Sequence, residues 1–134
     1  MLEAAAALRE RRVSAVELAE DCLARIERRN GGAPSFDGAP GAINAWVRIY
    51  PEIAREQAHE ADARRAREGE RTPALCGVPV ALKDLVGVAG LPLTASSRVL
   101  EGNVADADAT AWARLRAQGV VLLCLLYTSP SPRD

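Results

Sequence analysis

Lys83 is the residue of this sequence with the clearest capacity for chemistry, because the chain carries 16 arginines and only one lysine. Arginine stays protonated in proteins, whereas a lysine amine can lose its proton and act as a general base. An apolar strand that ends at a lysine partly desolvates the amine, which disfavours its charged form. The residues alone leave alternatives open, since Lys83 could instead extend its amine to solvent or pair with Asp84.

The other reactive side chains form no recognisable catalytic or metal-binding set. Three cysteines, Cys22, Cys76 and Cys124, lack the spacing of metal ligands and are expected to be small, buried, reduced thiols. His59, the single histidine, has no second histidine or cysteine placed to share a metal or a proton with it. We therefore predict neither a metal nor a cofactor, and place His59 on the polar face of a helix.

Composition and charge exclude several classes of function. The chain is 49% apolar over 134 residues, which is enough for one modest core. Its net charge of −1, from 17 basic and 18 acidic residues, argues against a direct nucleic-acid partner or a charged membrane surface. No apolar run is long enough to span a bilayer, and the charged N-terminus does not resemble a secretory signal. We therefore expect a cytoplasmic protein.

A short strand is predicted to position Lys83. Within residues 77–84, apolar and other side chains alternate, as expected of a strand with one buried face: Val78, Val80 and Leu82. The strand ends at Lys83, and the irregular residues 85–97 follow, with Ser96 and Ser97 at their end.

Four helices and two further strands are predicted around it. Residues 2–12 form the first helix, Ser14 and Glu17 form a capping box that opens the second, and Pro51 begins the third, over residues 51–68. Asp106 or Asp108 is expected to cap the fourth, which runs through residue 118. Strands are expected at residues 43–49 and from residue 120, the latter with an unpaired apolar edge. This order of elements predicts an α/β fold.

The last eleven residues, 124–134, differ in composition from the rest of the chain. They contain Pro130 and Pro132 but no alanine, whereas the preceding residues are rich in alanine and arginine. The segment also resembles one reading frame of a common transposase sequencing adapter. We expect a non-native tail after residues 1–123, which would be the N-terminal portion of one truncated domain. The alternative is a genuine Ser-Pro-rich tail.

The residues around Lys83 resemble an enzyme family. Residues 77–85, GVPVALKDL, and residues 88–97, VAGLPLTASS, are similar to the first recognition block of the amidase-signature family. The flanking segments resemble the same family in the same order: residues 12–18, 25–26, 43–46, 106–110 and 114–123. The resemblance covers residues 1–123 and implies the N-terminal part of the amidase-signature fold, an incomplete mixed sheet covered by helices.

The resemblance implies a serine-dependent amidase acting on a small-molecule amide. In the family, a nucleophilic serine attacks a carboxamide, and a second serine, in a cis peptide, relays its proton to a lysine. That lysine matches Lys83. Backbone amides of a Gly-rich segment stabilise the oxyanion.

This sequence lacks both family serines. After Leu123 the family continues into a Gly/Ser-rich segment, whereas here the tail follows, and its Ser129 and Ser131 have no glycines around them. Ser96 and Ser97 match neither serine. They are expected to shape the substrate-side loop, or to be turn residues only. Asp84 is expected either to orient Lys83 or to cap the turn, and both roles stay open. The chain alone is therefore expected to be inactive.

Three functions stay open from the sequence. The first is an amidohydrolase of linear amides, and the second is the glutaminase subunit of a tRNA-dependent amidotransferase, which passes ammonia to a partner. The third is a small non-catalytic α/β interaction domain. A homodimer and an assembly with amidotransferase partner subunits both stay open.

Overall fold

The protein, a computed structural model, is described for residues 1–30, 43 and 45–126. These residues form, in chain order, α1 (Leu2–Arg9), α2 (Ala15–Asn30), β1 (Trp46–Ile49), α3 (Pro51–Glu68), β2 (Pro79–Lys83), α4 (Thr110–Ala117) and β3 (Val121–Leu126). Two 3-10 turns, Gly69–Arg71 and Arg98–Leu100, lie between them. The predicted α/β class is confirmed. No helix within the described ranges is long and apolar enough to cross a membrane.

The three strands form one mixed sheet in the order β1-β3-β2. β3 runs antiparallel to β1 and parallel to β2, and Lys83 stands opposite Leu126 at the end of the parallel pair. The mixed sheet is as predicted. The expectation that the strand after Val120 has an unpaired apolar edge is wrong, because β3 is the central strand and both of its neighbours are present.

β3 also continues past residue 123, where the composition changes. Cys124 and Leu125 are buried and pair with both neighbouring strands. The predicted start of the tail therefore lies inside β3, and the origin of residues 124–134 stays a prediction. Residues 127–134, with Ser129 and Ser131, lie outside the described residues, as do residues 31–42.

Buried apolar residues form two clusters that share the strands. The helical cluster joins α1, α2 and α3 to Val78, Val121, Leu123 and Cys124. The Trp112 cluster joins α4 to Val80 and Leu82 of β2, to Leu122 and Leu125 of β3, and to Val120, which precedes β3. β3 is buried along nearly its whole length, as expected of a central strand. The pairing of β2 with β3 shifts by one residue between Val80 and Ala81, which pair with Leu122 and Cys124. As a result, two successive residues of β3, Leu123 and Cys124, both lie in the helical cluster.

The local signals for α2 and α3 are confirmed. The Glu17 N–H donates to Ser14 Oγ at 3.0 Å, and the Ser14 N–H donates to Glu17 Oε2 at 2.8 Å, which is the predicted capping box. α3 has the predicted bounds, with Pro51 in its first turn. Its buried residues are all alanines, which allows α3 to lie close to α2: Ala54, Ala58 and Ala61.

The predicted cap of α4 is wrong. The helix begins at Thr110 after Ala109, and no side chain caps it. Asp108 instead accepts a hydrogen bond of 2.8 Å from the Ala89 N–H and forms an ion pair of 3.0 Å with Arg116. A loop amide 19 residues away competes for the Asp108 carboxylate, and no pattern around α4 predicts that contact.

Candidate active site around Lys83

Lys83 lies at the carboxyl end of β2, on the edge of the sheet where β3 also ends. Because β2 and β3 are parallel, their carboxyl ends meet at one edge. Lys83 pairs with Leu126, and the next amide, the Asp84 N–H, donates to the Leu126 carbonyl at 3.1 Å. The Lys83 residue is partly buried. The end of β3 is therefore the nearest neighbour of the lysine within the sheet.

Asp84 is fully buried, with 0% of its surface exposed, and its carboxylate binds a turn of the following loop. Oδ1 accepts a hydrogen bond of 3.0 Å from the Thr94 N–H. Oδ2 accepts one from the Thr94 hydroxyl and a longer one, of 3.3 Å, from the Ser96 N–H. The acceptors of this carboxylate are thus directed at Thr94 and Ser96, ten and twelve residues further along the chain.

The turn that Asp84 binds has an unusual backbone. Ala95 and Ser96 have φ values of 51° and 56°, a left-handed conformation that residues with a side chain adopt at a cost. The Ala95 N–H donates to the Asp84 carbonyl at 2.9 Å, and the Ser97 N–H donates to the Thr94 carbonyl at 2.8 Å. Such a conformation persists where surrounding contacts fix it, and here Asp84 supplies most of them.

The chain directly after Lys83 is bound on its other side to the segment before α4. The Val86 N–H donates to the Lys83 carbonyl at 2.9 Å, and the Ala109 N–H donates to the Gly87 carbonyl at 2.8 Å. Gly87 is buried, and a β-carbon there would lie 3.1 Å from the Ala107 carbonyl oxygen. Residues 83–87 are therefore held by the sheet, by the 94–97 turn and by the approach to α4.

Tyr50 and Thr94 belong to this region, and the sequence reasoning missed both. Burial raises the pKa of the Tyr50 hydroxyl, with the Arg48 charge lowering it and the Asp84 charge raising it. The Tyr50 hydroxyl is buried without a hydrogen-bond partner among the described atoms. Thr94 lies within residues 88–97, which resemble the family, and this resemblance could have marked it as a candidate site residue. Nothing local marks Tyr50, whose proximity to Asp84 depends on the order of the strands.

The remaining candidates are the histidine and the three cysteines. His59 is exposed on α3, Cys76 and Cys124 are buried, and Cys22 is partly buried. In residues 1–30, 43 and 45–126, no group of three or more histidine, cysteine or acidic side chains could hold a metal ion. The end of β2 thus places a lysine residue beside the end of β3, and a lysine amine can exchange a proton with a hydroxyl that lies within hydrogen-bond reach.

The chain is similar to known amidases in sequence. The family model described as Amidase matches residues 36–129. The glutamyl-tRNA(Gln) amidotransferase A subunit of Anaeromyxobacter dehalogenans is 42% identical over 121 residues, which are 90% of this chain and 22% of that protein. The chain thus spans about a fifth of the length of this curated relative.

Solved structures share the fold of the described residues. One comes from a vestigial protein complex that reveals the origins of an s-triazine catabolic enzyme. It superposes with a TM-score of 0.79 at 36% identity, covering 92% of this chain and 25% of that one. The native peptide amidase of Stenotrophomonas maltophilia superposes with a TM-score of 0.71 at 27% identity. The match covers 90% of this chain and 23% of that one.

Proposed function

Because the chain belongs to the amidase-signature family, we propose that Lys83 is the general base of a serine-dependent amidohydrolase. The reaction is hydrolysis of the C–N bond of a small, linear carboxamide. The observation that carries the proposal is the place of Lys83, at the end of β2 and beside the end of β3. Two serines complete the machinery, and we place both outside this chain, in the part of the family that it does not cover.

The parallel pair of strands supports a role for Lys83 in proton transfer. In the family, the segment after this strand carries both serines, so it would start beside the lysine. The nucleophilic serine attacks the amide carbonyl and passes its proton through the second serine to the Lys83 amine. The same route in reverse delivers that proton to the leaving ammonia or amine. A water then releases the acyl group from the serine.

We propose that the isolated chain does not hydrolyse amides. A base without its nucleophile cannot form an acyl-enzyme. Ser96, the nearby serine whose N–H donates to Asp84, belongs to a turn that the Asp84 carboxylate holds. The proposal includes a non-native origin for residues 124–134. Sequencing the gene across codon 124 tests that part, and an uninterrupted native reading frame ending at Asp134 contradicts it.

The test of the base compares amide hydrolysis by this chain and by the longer protein that its gene encodes. In the longer protein, Lys83→Ala and Lys83→Arg are each expected to lower kcat by about 10²–10⁴-fold, because alanine has no amine and arginine stays protonated and cannot accept a proton. Arg114→Ala, on the exposed side of α4, is the matched control and is expected to leave kcat unchanged. Turnover by the isolated chain that survives Lys83→Ala would overturn both proposals.

In a second candidate function Lys83 is again the base, but the ammonia is transferred to another subunit and not released. The similarity to amidotransferase A subunits favours a glutaminase subunit, which passes ammonia to a partner subunit. The longer protein would then hydrolyse glutamine, and the rate would rise when the partner subunit is added. Glutamine hydrolysis that is slower than that of simple amides, and unaffected by the partner, excludes this candidate.

A cytoplasmic location fits the thiols, since disulfides are rare in that compartment. Cys22, Cys76 and Cys124 are all free in the part of the chain that the structure describes. A non-catalytic interaction domain is not proposed, because the chain belongs to an enzyme family and the segment around Lys83 resembles that of the family lysine.

A further inference from the structure

We propose that Asp84 is a positioning residue for Lys83, and that it acts through the turn of residues 94–97. The inference rests on the proposed function, because it assigns Asp84 a part in the reaction of Lys83. It goes beyond that function by giving the buried carboxylate a role separate from that of a counter-ion.

Asp84 fixes the end of β2 through its backbone and its side chain together. Its N–H donates to the Leu126 carbonyl at 3.1 Å, and its carbonyl accepts from the Ala95 N–H at 2.9 Å. Its carboxylate accepts from the Thr94 N–H, the Thr94 hydroxyl and the Ser96 N–H. The peptide group that follows Lys83 is therefore bound to β3 on one side and to the turn on the other.

The chemistry at this position requires a carboxylate. Three donors converge on two oxygens, and a carboxylate can accept all of them. An asparagine would offer one acceptor oxygen and turn an NH₂ group toward the remaining donors. A glutamate would add a methylene group where Asp84 and Thr94 are both 0% exposed.

The turn depends on these bonds for its shape. Ala95 and Ser96 both lie in the left-handed region, which is costly for residues that carry a side chain. When the Asp84 bonds are removed, the turn is free to relax to an ordinary backbone conformation. The Ala95 N–H then leaves the Asp84 carbonyl, and the end of β2 loses its support opposite β3. A displacement of about 1 Å at a catalytic group can cost about 10²-fold in rate.

Thr94 separates a positioning role from a counter-ion role. The Thr94 hydroxyl carries no charge, so removing it takes one hydrogen bond from the turn and leaves the Asp84 carboxyl group in place. If Asp84 acts through the turn, Thr94→Val reproduces the effect of Asp84→Asn and Thr94→Ser does not. If Asp84 acts as a counter-ion, Asp84→Asn alone has an effect.

The experiment uses the longer protein and two substrates of the same acyl group, a carboxamide and its p-nitrophenyl ester. Expulsion of ammonia needs a proton from Lys83, whereas p-nitrophenolate leaves without one. We expect Asp84→Asn and Thr94→Val to lower kcat for the amide by about 10–100-fold, and to lower it for the ester about tenfold less. Thr94→Ser keeps the hydroxyl and should retain the wild-type rate on both substrates. Glu101→Gln makes the same carboxyl-to-amide change at an exposed position and is the control for Asp84→Asn.

Other results would contradict the positioning role of Asp84, the role of the turn, or the proposed function. An equal loss on amide and ester means that proton delivery to the leaving group is not selectively impaired, and it overturns the positioning role. An effect of Asp84→Asn without one of Thr94→Val overturns the role of the turn. If Asp84→Asn does not fold, the Thr94→Val and Thr94→Ser pair decides by the same criteria. A wild-type protein that turns over neither substrate overturns the proposed function itself, and the inference with it.

Discussion

The carboxylate of Asp62, in the middle of α3, accepts a hydrogen bond of 2.8 Å from the backbone N–H of Ala15, the first residue of α2. Its second oxygen accepts one of 3.1 Å from the Val16 N–H. The first amides of a helix have no partner within the helix, and a negative charge there is favourable. One side chain of α3 thus caps α2 across 47 residues and fixes the contact between the two helices.

Asp62→Ala is expected to lower the free energy of unfolding of the isolated chain by about 1–2 kcal/mol, the usual cost of losing a helix cap. Urea unfolding followed by circular dichroism measures the change. Glu56→Ala is the matched control, because Glu56 is exposed on the same helix. It is expected to change the free energy of unfolding by less than about 0.5 kcal/mol. Equal changes in the two variants would show that Asp62 does not stabilise the fold as a cap of α2.

Gly77 and Gly90 form a natural pair for testing a close approach of the backbone. Their φ values are +79° and +78°, so an alanine is strained to the same degree at both. A β-carbon at Gly77 would lie 2.8 Å from the Ala15 β-carbon, whereas one at Gly90 meets no described atom within 4 Å. Gly77→Ala should therefore destabilise the chain by about 1–3 kcal/mol more than Gly90→Ala does. Thermal unfolding of both variants measures the difference, and equal losses would exclude the predicted clash.

Glu17 predicts a pH dependence of stability. Hydrogen bonds from the Ser14 backbone N–H and then the Ser14 side chain lower the pKa of Glu17 below its usual 4.5. Because the unfolded chain binds a proton more readily, this carboxylate stabilises the fold above the unfolded pKa. The contribution is lost as the pH falls through the lowered folded pKa.

The urea midpoint of wild type should therefore exceed that of Glu17→Gln at pH 7, and the gap should close in acid, below the folded pKa. Glu27→Gln, exposed on the same helix, is the control and should show little gap at either pH. A gap that persists unchanged in acid would mean that the Glu17 charge is not its source.

The parts of the fold that could be predicted are those whose signals are local. The capping box of Ser14 and Glu17 spans four residues, and Pro51 sits within the first turn of α3. The order of the strands could not be predicted, because pairing β1 with β3 joins segments that lie far apart in the sequence. The same reason explains the error over an unpaired edge, since the neighbours of β3 come from distant parts of the chain.

The candidate site also has parts that local sequence patterns predict and parts that they do not. Alternation of apolar residues predicts that Lys83 ends a strand, since both signals lie within residues 77–84. The destination of the Asp84 carboxylate was left open, because the bonds to Thr94 and Ser96 cross an irregular segment without periodicity. The left-handed backbone of Ala95 also carries no signal, since alanine rarely adopts that conformation and its neighbours do not indicate it.

The thiols provide a test of where β3 ends. Burial raises the pKa of the Cys124 thiol to about 12, and burial also raises the pKa of the Cys76 and Cys22 thiols. The thiolate is the form that reacts with alkylating agents, so a buried thiol of high pKa reacts slowly. Cys22 is the most accessible of the three, since Cys76 and Cys124 are almost fully buried.

We expect iodoacetamide at neutral pH to label Cys22 first, and to label Cys124 and Cys76 only after urea unfolds the chain. Cleavage of the labelled chain after arginine, followed by mass spectrometry of the peptides, measures the labelling rate of each cysteine. Cys76, which lies outside the last strand in the sequence, is the internal control for an intact core. Rapid labelling of Cys124 while Cys76 stays protected would mean that residues 124–126 do not complete β3. In that case Lys83 would lose its partner Leu126, and the edge of the sheet would end at the position where the composition changes.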